Sequence, residues 1–168
     1  MDTTRARAET GRVGRAWEAS ANLSVLISTW NRSQSLSQTL QSISRCTIPA
    51  GLRWELVLVN NNCTDDTDKV AKAFSEFLPI VYVKEPIQGL SRAKNTGLAA
   101  ASGELILFTD DDVEPCEDWI ALYWTSYRAT PSGYYFGGPV VSRFELRPPD
   151  PELLEVAPPE VRGFEWGS

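Results

Sequence analysis

Short runs of apolar residues alternate along this chain with longer segments in which apolar residues recur every three to five positions. The apolar runs lie at residues 23–29, 54–60, 79–84 and 104–109, and each leads into polar sequence. Such runs are typical of strands that are buried on both faces. The segments between them have the spacing of amphipathic helices. We therefore predict helices over residues 32–48, from Thr64 or Asp65 to Leu78, over 88–102 and over 117–129, with a further strand at 134–142.

The predicted helices carry recognisable end signals. Pro49 and Gly51 are expected to end the first helix, because proline cannot continue a helix and glycine favours its termination. Gly103 is expected to cap the third helix at its C-terminus. The apolar side of that third helix is predicted to consist of Leu90, Ala93, Leu98 and Ala101.

Strand and helix alternate four times with short links, which predicts an α/β fold. We expect a Rossmann-like, mostly parallel sheet with helices on both faces. Right-handed crossovers place the carboxyl ends of such strands at one edge, where ligands bind. Polar clusters stand at three of these strand ends: Thr29-Trp30-Asn31, Asn60-Asn61-Asn62 and Asp110-Asp111-Asp112.

The chain divides by composition into three parts. Residues 1–22 contain four arginines and no apolar core, so we expect a flexible lead-in and not a secretory signal. Residues 23–142 hold the alternating elements and form the predicted domain. Residues 143–168 are rich in proline and acidic residues, and we interpret them as an extended arm or a truncated continuation.

Composition excludes several kinds of function. The formal net charge of −6 argues against nucleic acid as a partner, because that binding needs clustered cations. The sequence contains no histidine, which removes imidazole catalysis and the common histidine-containing zinc sites. The three cysteines are scattered, so we expect a reducing, cytoplasmic setting. No apolar stretch is long enough to predict a transmembrane segment.

The acidic triplet Asp110-Asp111-Asp112 has two interpretations. Three adjacent carboxylates at a strand end repel one another unless a cation compensates them, and Mg²⁺ and Mn²⁺ prefer oxygen ligands. A solvated acidic turn that leads into a helix N-terminus, where negative charge is favoured, explains the same residues. The residues alone leave both open.

Four segments resemble the blocks of family 2 glycosyltransferases, and they follow one another along the chain in the same order. They are Leu23-Ser-Val-Leu-Ile-Ser-Thr-Trp-Asn-Arg32, Glu55-Leu-Val-Leu-Val-Asn-Asn-Asn-Cys-Thr-Asp65, Gly89-Leu-Ser-Arg-Ala-Lys-Asn-Thr-Gly97 and Leu107-Phe-Thr-Asp-Asp-Asp-Val-Glu-Pro115. The resemblance covers about residues 23 to 142. It implies the A-type glycosyltransferase fold and an inverting transfer of a sugar from a nucleotide diphosphate sugar to an acceptor hydroxyl.

The resemblance also implies roles for residues at the first two strand ends. Thr29, Trp30 and Asn31 would border the nucleotide base. The second strand end normally carries an aspartate that accepts a hydrogen bond from uracil. Asn60 stands there in this chain, and its amide oxygen can accept but brings no charge. The alternative interpretation of residues 60–62 is an asparagine-rich turn without a role in binding.

The remaining implied roles concern charged residues. Arg92 and Lys94 would reach the base or the pyrophosphate, and we take them as the cations close in sequence to the cleft. Their alternative is a solvated helix face. Asp110 would contact the nucleotide and Asp112 would hold the metal, with Asp110 as a second ligand and Asp111 beside the nucleotide.

The implied cofactor is a divalent metal, Mn²⁺ or Mg²⁺. The implied donor is a UDP-sugar, with a GDP-sugar as the other possibility, and the acceptor and the oligomeric state stay open. If the acceptor is lipid-linked, the enzyme would work at the inner face of the membrane. The two competing interpretations are a non-catalytic sugar-nucleotide-binding fragment and a nucleotidyltransferase.

An inverting transfer needs a general base. The resemblance places an aspartate or glutamate for this role in an acidic block well after the triplet. The acids between Glu145 and Glu165 lie in proline-rich sequence without that block. The base is therefore unassigned, with Glu165 as the single candidate, and the chain is expected to be a donor-binding portion that could be inactive alone.

Overall fold

The structure is a computed structural model, and it describes residues 10–11, 21–130, 135–142, 150 and 152. The chain divides into two compact units, Met1–Ala129 and Thr130–Ser168. The sequence placed a boundary between residues 142 and 143 instead. Within the described residues, no helix combines the length and the apolar character that crossing a membrane would require.

The first unit contains one five-stranded sheet with the strand order β1-β4-β3-β2-β5. Strands β2, β3, β4 and β5 pair in parallel, and β1 pairs with β4 in the antiparallel direction. The parallel α/β sheet predicted from the alternation is thereby confirmed. The strands are β1 Thr10–Gly11, β2 Leu23–Thr29, β3 Trp54–Asn60, β4 Ile80–Lys84 and β5 Leu105–Thr109.

Four helices follow the parallel strands in turn, at α1 Ser33–Ser44, α2 Thr67–Phe74, α3 Leu90–Ala100 and α4 Trp119–Ala129. All four are shorter than predicted. The first ends at Ser44 and not near Pro49, because the Thr47 amide donates to the carbonyl of Glu117 in a distant loop. The predicted strand at 134–142 is not formed within residues 135–142, and Tyr134 lies outside the described residues.

Side chains from both faces of the sheet are buried. On one face, Leu26, Val57, Val59 and Val83 form a core cluster with Ala93 of α3. Alternate residues of a strand point to opposite faces, and the intervening Val25, Ile27, Leu56 and Leu58 are also fully buried. The apolar runs of β2 and β3 are therefore continuous because both of their faces contact the interior.

The buried side of α3 differs from the prediction. Ala93 and Gly97 are its buried residues, whereas Leu90 and Leu98 are 60% and 43% exposed. A Cβ atom at Gly97 would lie 2.8 Å from Cδ1 of Leu26 and 3.0 Å from Cγ2 of Val59. Small residues therefore form the contact face of α3, and they allow its backbone to approach the sheet closely.

The sequence predicted Gly103 as the C-cap of α3, and this prediction is wrong. The C-cap residue is Ala101, which is extended. A Cβ atom at Gly103 would lie 2.5 Å from the amide nitrogen of Ser24 and 2.7 Å from the carbonyl carbon of Leu23. The amide of Gly103 donates to Oγ of Ser24 at 2.9 Å. Glycine is required here because the chain passes against the backbone of β2.

We predict that Gly103→Ala destabilises the first unit by about 3 kcal/mol, since the clash is with backbone that cannot rotate away. Gly51→Ala is the matched control, because Gly51 has a φ of +79° but open space around its Cβ position. It should cost only about 1 kcal/mol for the left-handed backbone. Urea unfolding followed by tryptophan fluorescence compares the two variants, and an equal or smaller loss in Gly103→Ala would refute the close approach.

Candidate functional site

The carboxyl ends of β2, β3 and β5 lie side by side. Strand β2 lies between β3 and β5, with Thr29 paired to Asn60 of β3 and Ile27 paired to Thr109 of β5. The chain runs outward from β2 to β3 and β4 on one side and returns to place β5 on the other. The junction of β2 and β5 is therefore the point where the strand order reverses, which is where doubly wound sheets bind ligands.

A cleft of about 370 Å³ opens at this junction. It is lined by the ends of β2 and β5, by one residue that follows β3, and by the segment that enters α3: Ser28, Thr29, Trp30, Arg32, Asn61, Gln88, Gly89, Leu90, Ala93, Asp110, Asp111 and Asp112. Two of the three predicted polar clusters thus meet directly in one cleft, and the asparagine cluster contributes one residue.

Asp111 is the buried member of the acidic triplet, with only 5% of its surface exposed. Its Oδ2 accepts a hydrogen bond from Oγ1 of Thr29 at 2.7 Å, and its Oδ1 lies 3.4 Å from Nη1 of Arg32. A buried carboxylate requires donors of this kind. Thr29 and Asp111 therefore hold the ends of β2 and β5 together and form the floor of the cleft.

Asp112 and Asp110 are exposed at the same cleft. Oδ2 of Asp112 lies 2.7 Å from Nη1 of Arg32, and both side chains of this pair are about half exposed. The negative charge of Asp111, followed by that of Asp112, raises the pKa of Arg32 further above its ordinary value. The triplet thus separates into one buried structural carboxylate and two carboxylates that a ligand can reach.

Asn31 supports the cleft without lining it. It has a φ of 52°, its Oδ1 accepts from the amide of Thr64 at 2.7 Å, and its own amide donates to Sγ of Cys63 at 3.3 Å. These bonds connect the loop after β2 to the loop after β3. Trp30, the preceding residue, lines the cleft with 52% of its surface exposed.

Asp65 connects the same two loops. Its Oδ2 accepts from the amide of Ser33, the first residue of α1, at 2.8 Å. Its Oδ1 accepts from the amide of Thr67 at 3.1 Å and from the hydroxyl of Thr67 at 2.6 Å. Desolvation acts to raise the pKa of Asp65, but these hydrogen bonds outweigh it and bring that pKa to about 2.

The structure does not bring Asn60 into the cleft. Asn60 is buried, its Oδ1 accepts from the amide of Cys63 at 2.7 Å, and its Nδ2 donates to Asp68 and to the hydroxyl of Tyr82. The amide oxygen that was expected to meet the base is therefore bonded within the protein. The residue at the cleft is its neighbour Asn61.

Asn61 fixes the loop that leads into α3. Its Oδ1 accepts from the amide of Gly89 at 2.8 Å, and its Nδ2 donates to the carbonyls of Ile87 at 3.0 Å and Glu85 at 3.3 Å. Gly89 has a φ of 152°, and it is the N-cap residue of α3 beside the cleft. The sequence offered both asparagines, and only the fold distinguishes which one faces the ligand side.

Arg92 and Lys94 do not line the cleft. Arg92 is exposed on α3, and Nζ of Lys94 lies 6.0 Å from the ring centroid of Phe108. The cation among the described lining residues is Arg32, whereas we expected Arg92 and Lys94 in that place. The signal was present, since Arg32 follows directly on the first polar strand end.

No group of three or more histidine, cysteine, aspartate or glutamate residues is placed to hold a metal ion in the described part of the chain. The oxygen donors that the cleft offers are the exposed carboxylates of Asp110 and Asp112. Glu165, the candidate base, lies outside the described residues.

These features define a doubly wound α/β protein with an acidic ligand cleft where its strand order reverses. The model of the family "Glycosyl transferase family 2" matches residues 24–158, which is more than half of the chain. The chain belongs to this family, as its four sequence blocks suggested, and it contains the N-terminal portion of the glycosyltransferase fold.

Individual relatives agree with this assignment. Glycosyltransferase AglE of Haloferax volcanii is 30% identical over 100 residues, which is 58% of this chain and 33% of AglE. The mannosyltransferase PcManGT of Pyrobaculum calidifontis, solved with GDP-Man and Mn²⁺, superposes with a TM-score of 0.60 at 26% identity, over 82% of this chain and 39% of that one. TarS of S. aureus, solved with UDP, shares the fold with a TM-score of 0.61 at 21% identity, over 66% of this chain and 33% of that one. The chain spans less than half the length of the first curated relatives it matches.

We predict that Asp65→Asn lowers stability at pH 7 and that this loss shrinks as the pH falls from about 4 towards 2. The folded pKa of about 2 lies below the ordinary value of 3.8. The stability supplied by ionised Asp65 is therefore fully present above the ordinary value and is lost as the pH falls through the folded one. Urea unfolding at several pH values measures the difference between the variant and the parent chain.

The neighbouring Asp66→Asn serves as the control, because Asp66 makes an exposed ion pair with Lys69. It should show only a small effect, since exposed pairs contribute little. A pH-independent loss in Asp65→Asn would show that its carboxylate charge does not join the two loops.

Proposed function

We propose that this chain is the donor-binding part of an inverting glycosyltransferase, which transfers a sugar from a nucleotide diphosphate sugar to an acceptor hydroxyl. The observation that carries the proposal is the pair of exposed carboxylates, Asp110 and Asp112, in a cleft at the reversal point of a family 2 sheet. Such a cleft offers ligands for a diphosphate-bound cation together with an exposed indole, that of Trp30.

The residues present fit a hard divalent ion. Asp110 and Asp112 supply oxygen donors, and Mg²⁺ and Mn²⁺ commonly use one or two protein carboxylates together with substrate phosphates. The two carboxylates would hold the ion, which when bound would offset the charge of the departing nucleoside diphosphate. The Mn²⁺ in the mannosyltransferase of P. calidifontis supports this assignment.

The other cleft residues would bind and orient the donor. Trp30 presents a flat apolar surface on which a nucleotide base can stack. Gly89 carries no side chain, so the donor can approach the backbone of the loop that Asn61 holds in place. Arg32 is the cation available to phosphate oxygens. Because Asn60 is bonded internally, base selection would not depend on it.

The proposal takes UDP- and GDP-sugars as the two donors to compare. It includes a cytoplasmic setting, which the three free cysteines Cys46, Cys63 and Cys116 support. It assigns neither the acceptor nor the general base.

The test is isothermal titration calorimetry of the 168-residue chain with UDP, GDP and their sugars, with and without Mn²⁺. We expect Mn²⁺-dependent binding of one nucleotide, weakened by about tenfold or more in Asp112→Ala, because a metal ligand is removed. Glu76→Ala is the matched control, since Glu76 is an exposed carboxylate on α2's C-terminal side, outside the cleft residues. It should bind like the parent chain.

Three results would contradict parts of the proposal. Binding that is unchanged in Asp112→Ala would reject the metal role of this residue. Failure of every nucleotide to bind the folded chain would reject the donor site. Donor binding without hydrolysis or transfer would favour the non-catalytic binding module over the enzyme.

A further inference from the structure

Among the described residues that line the cleft, Arg32 has the single cationic side chain. It follows the end of β2 directly and precedes α1, which begins at Ser33. The same described lining contains three carboxylates, so its formal charge is −2 with Arg32 and would be −3 without it. Arg32 therefore offsets part of the repulsion within the acidic triplet.

The two carboxylates that Arg32 contacts differ in their exposure and in their other hydrogen bonds. Nη1 of Arg32 lies 3.4 Å from Oδ1 of Asp111 and 2.7 Å from Oδ2 of Asp112. The side chain of Asp111 is only 8% exposed and is also bonded to Thr29, whereas that of Asp112 is 54% exposed. The shorter contact is thus made to the carboxylate that is free to accept another partner.

Nη1 of Arg32 bonds Oδ2 of Asp112, so a cation that binds this oxygen would compete with the guanidinium. Two positive groups at neighbouring positions repel each other, so a cation on Asp112 would favour the departure of Arg32. A nucleotide diphosphate brings phosphate oxygens to the same cleft, and a guanidinium bonds such oxygens with favourable geometry. Asp111 would keep its position during this exchange, because its carboxylate is bonded to the hydroxyl of Thr29.

We propose that Arg32 neutralises Asp112 in the donor-free protein and exchanges this partner for the diphosphate when a divalent cation takes Asp112. This inference rests on the proposed function, because it assigns Arg32 a role at the same donor site. It makes Arg32 the residue that couples the two ligands: it weakens binding of the cation alone and strengthens binding of the nucleotide in the presence of the cation. Coupling of this kind is reciprocal between the two ligands.

The first test measures Mn²⁺ alone, without nucleotide, by the electron paramagnetic resonance signal of the free hexaaqua ion. Arg32→Gln should bind Mn²⁺ about three- to tenfold more tightly than the parent chain, because a competing positive charge is removed from a half-exposed site. Arg32→Lys keeps the charge and should stay within about twofold of the parent. Arg53→Gln, an exposed arginine before β3 and outside the cleft residues, should change nothing.

The second test measures UDP and GDP by calorimetry at saturating Mn²⁺. Arg32→Gln should bind the preferred nucleotide about tenfold more weakly, since a charge-assisted hydrogen bond to phosphate is lost. The two effects of one substitution therefore have opposite signs. A purely structural role of Arg32 would weaken both ligands together, and thermal unfolding of each variant checks that the fold is kept.

Weaker or unchanged Mn²⁺ binding in Arg32→Gln would overturn the inference, and so would unchanged nucleotide binding. Failure of the proposed function is seen separately, as the absence of nucleotide binding to the parent chain. In that case tighter Mn²⁺ binding in Arg32→Gln would still support competition at Asp112, while the exchange onto diphosphate would be refuted. If Arg32→Gln does not fold, Arg32→Met replaces it: removal of the charge should give the same tighter Mn²⁺ binding, and weaker or unchanged binding in that variant would overturn the inference.

Discussion

The hydrogen bond from Thr29 to Asp111 is the interaction on which the candidate site depends. It joins the ends of two strands that are far apart in sequence, and it does so in the interior, where a carboxylate without donors would be strongly unfavourable. Because Asp111 is committed to this contact, its neighbours Asp110 and Asp112 remain exposed at the cleft. The acidic triplet is therefore not three equivalent ligands. One carboxylate fixes the junction of β2 and β5, and the other two are presented to whatever binds there.

The parallel core was predictable because its strands are buried on both faces. Continuous apolar runs such as Val25–Ile27 are typical of strands that are buried on both faces. Strands β2 and β3 begin and end where the sequence indicated. Helix ends were less predictable, since distant contacts decide them, as the bond from Thr47 to Glu117 does for α1. The apolar side of α3 was misjudged because small residues, not Leu90 and Leu98, face the sheet. Side-chain size, and not only hydrophobicity, decided that contact.

Within the site, the sequence located the strand ends but not the direction of every side chain. Asn60 and Asn61 are adjacent, and whether one of them faces a neighbouring helix or the cleft depends on where β3 ends. Arg32 was overlooked because it stood at the predicted start of a helix, whereas the cations on α3 matched the family pattern. Gly103 was interpreted from its position after a helix, but its real constraint is the backbone of Ser24. The misses at Arg32 and Gly103 involve partners that are distant in sequence, Asp112 and Ser24.

The short strand β1 has a consequence for how the sheet meets its surroundings. Thr10 and Gly11 pair with Val83 and Tyr82 along the outer side of β4. Without them, those backbone amides and carbonyls would form an open edge, and an open edge readily pairs with a strand of another molecule. A segment whose composition suggests only a flexible lead-in thus shields part of the sheet from edge-to-edge association. Its contribution lies in keeping neighbouring molecules apart, at the side of the sheet remote from the cleft.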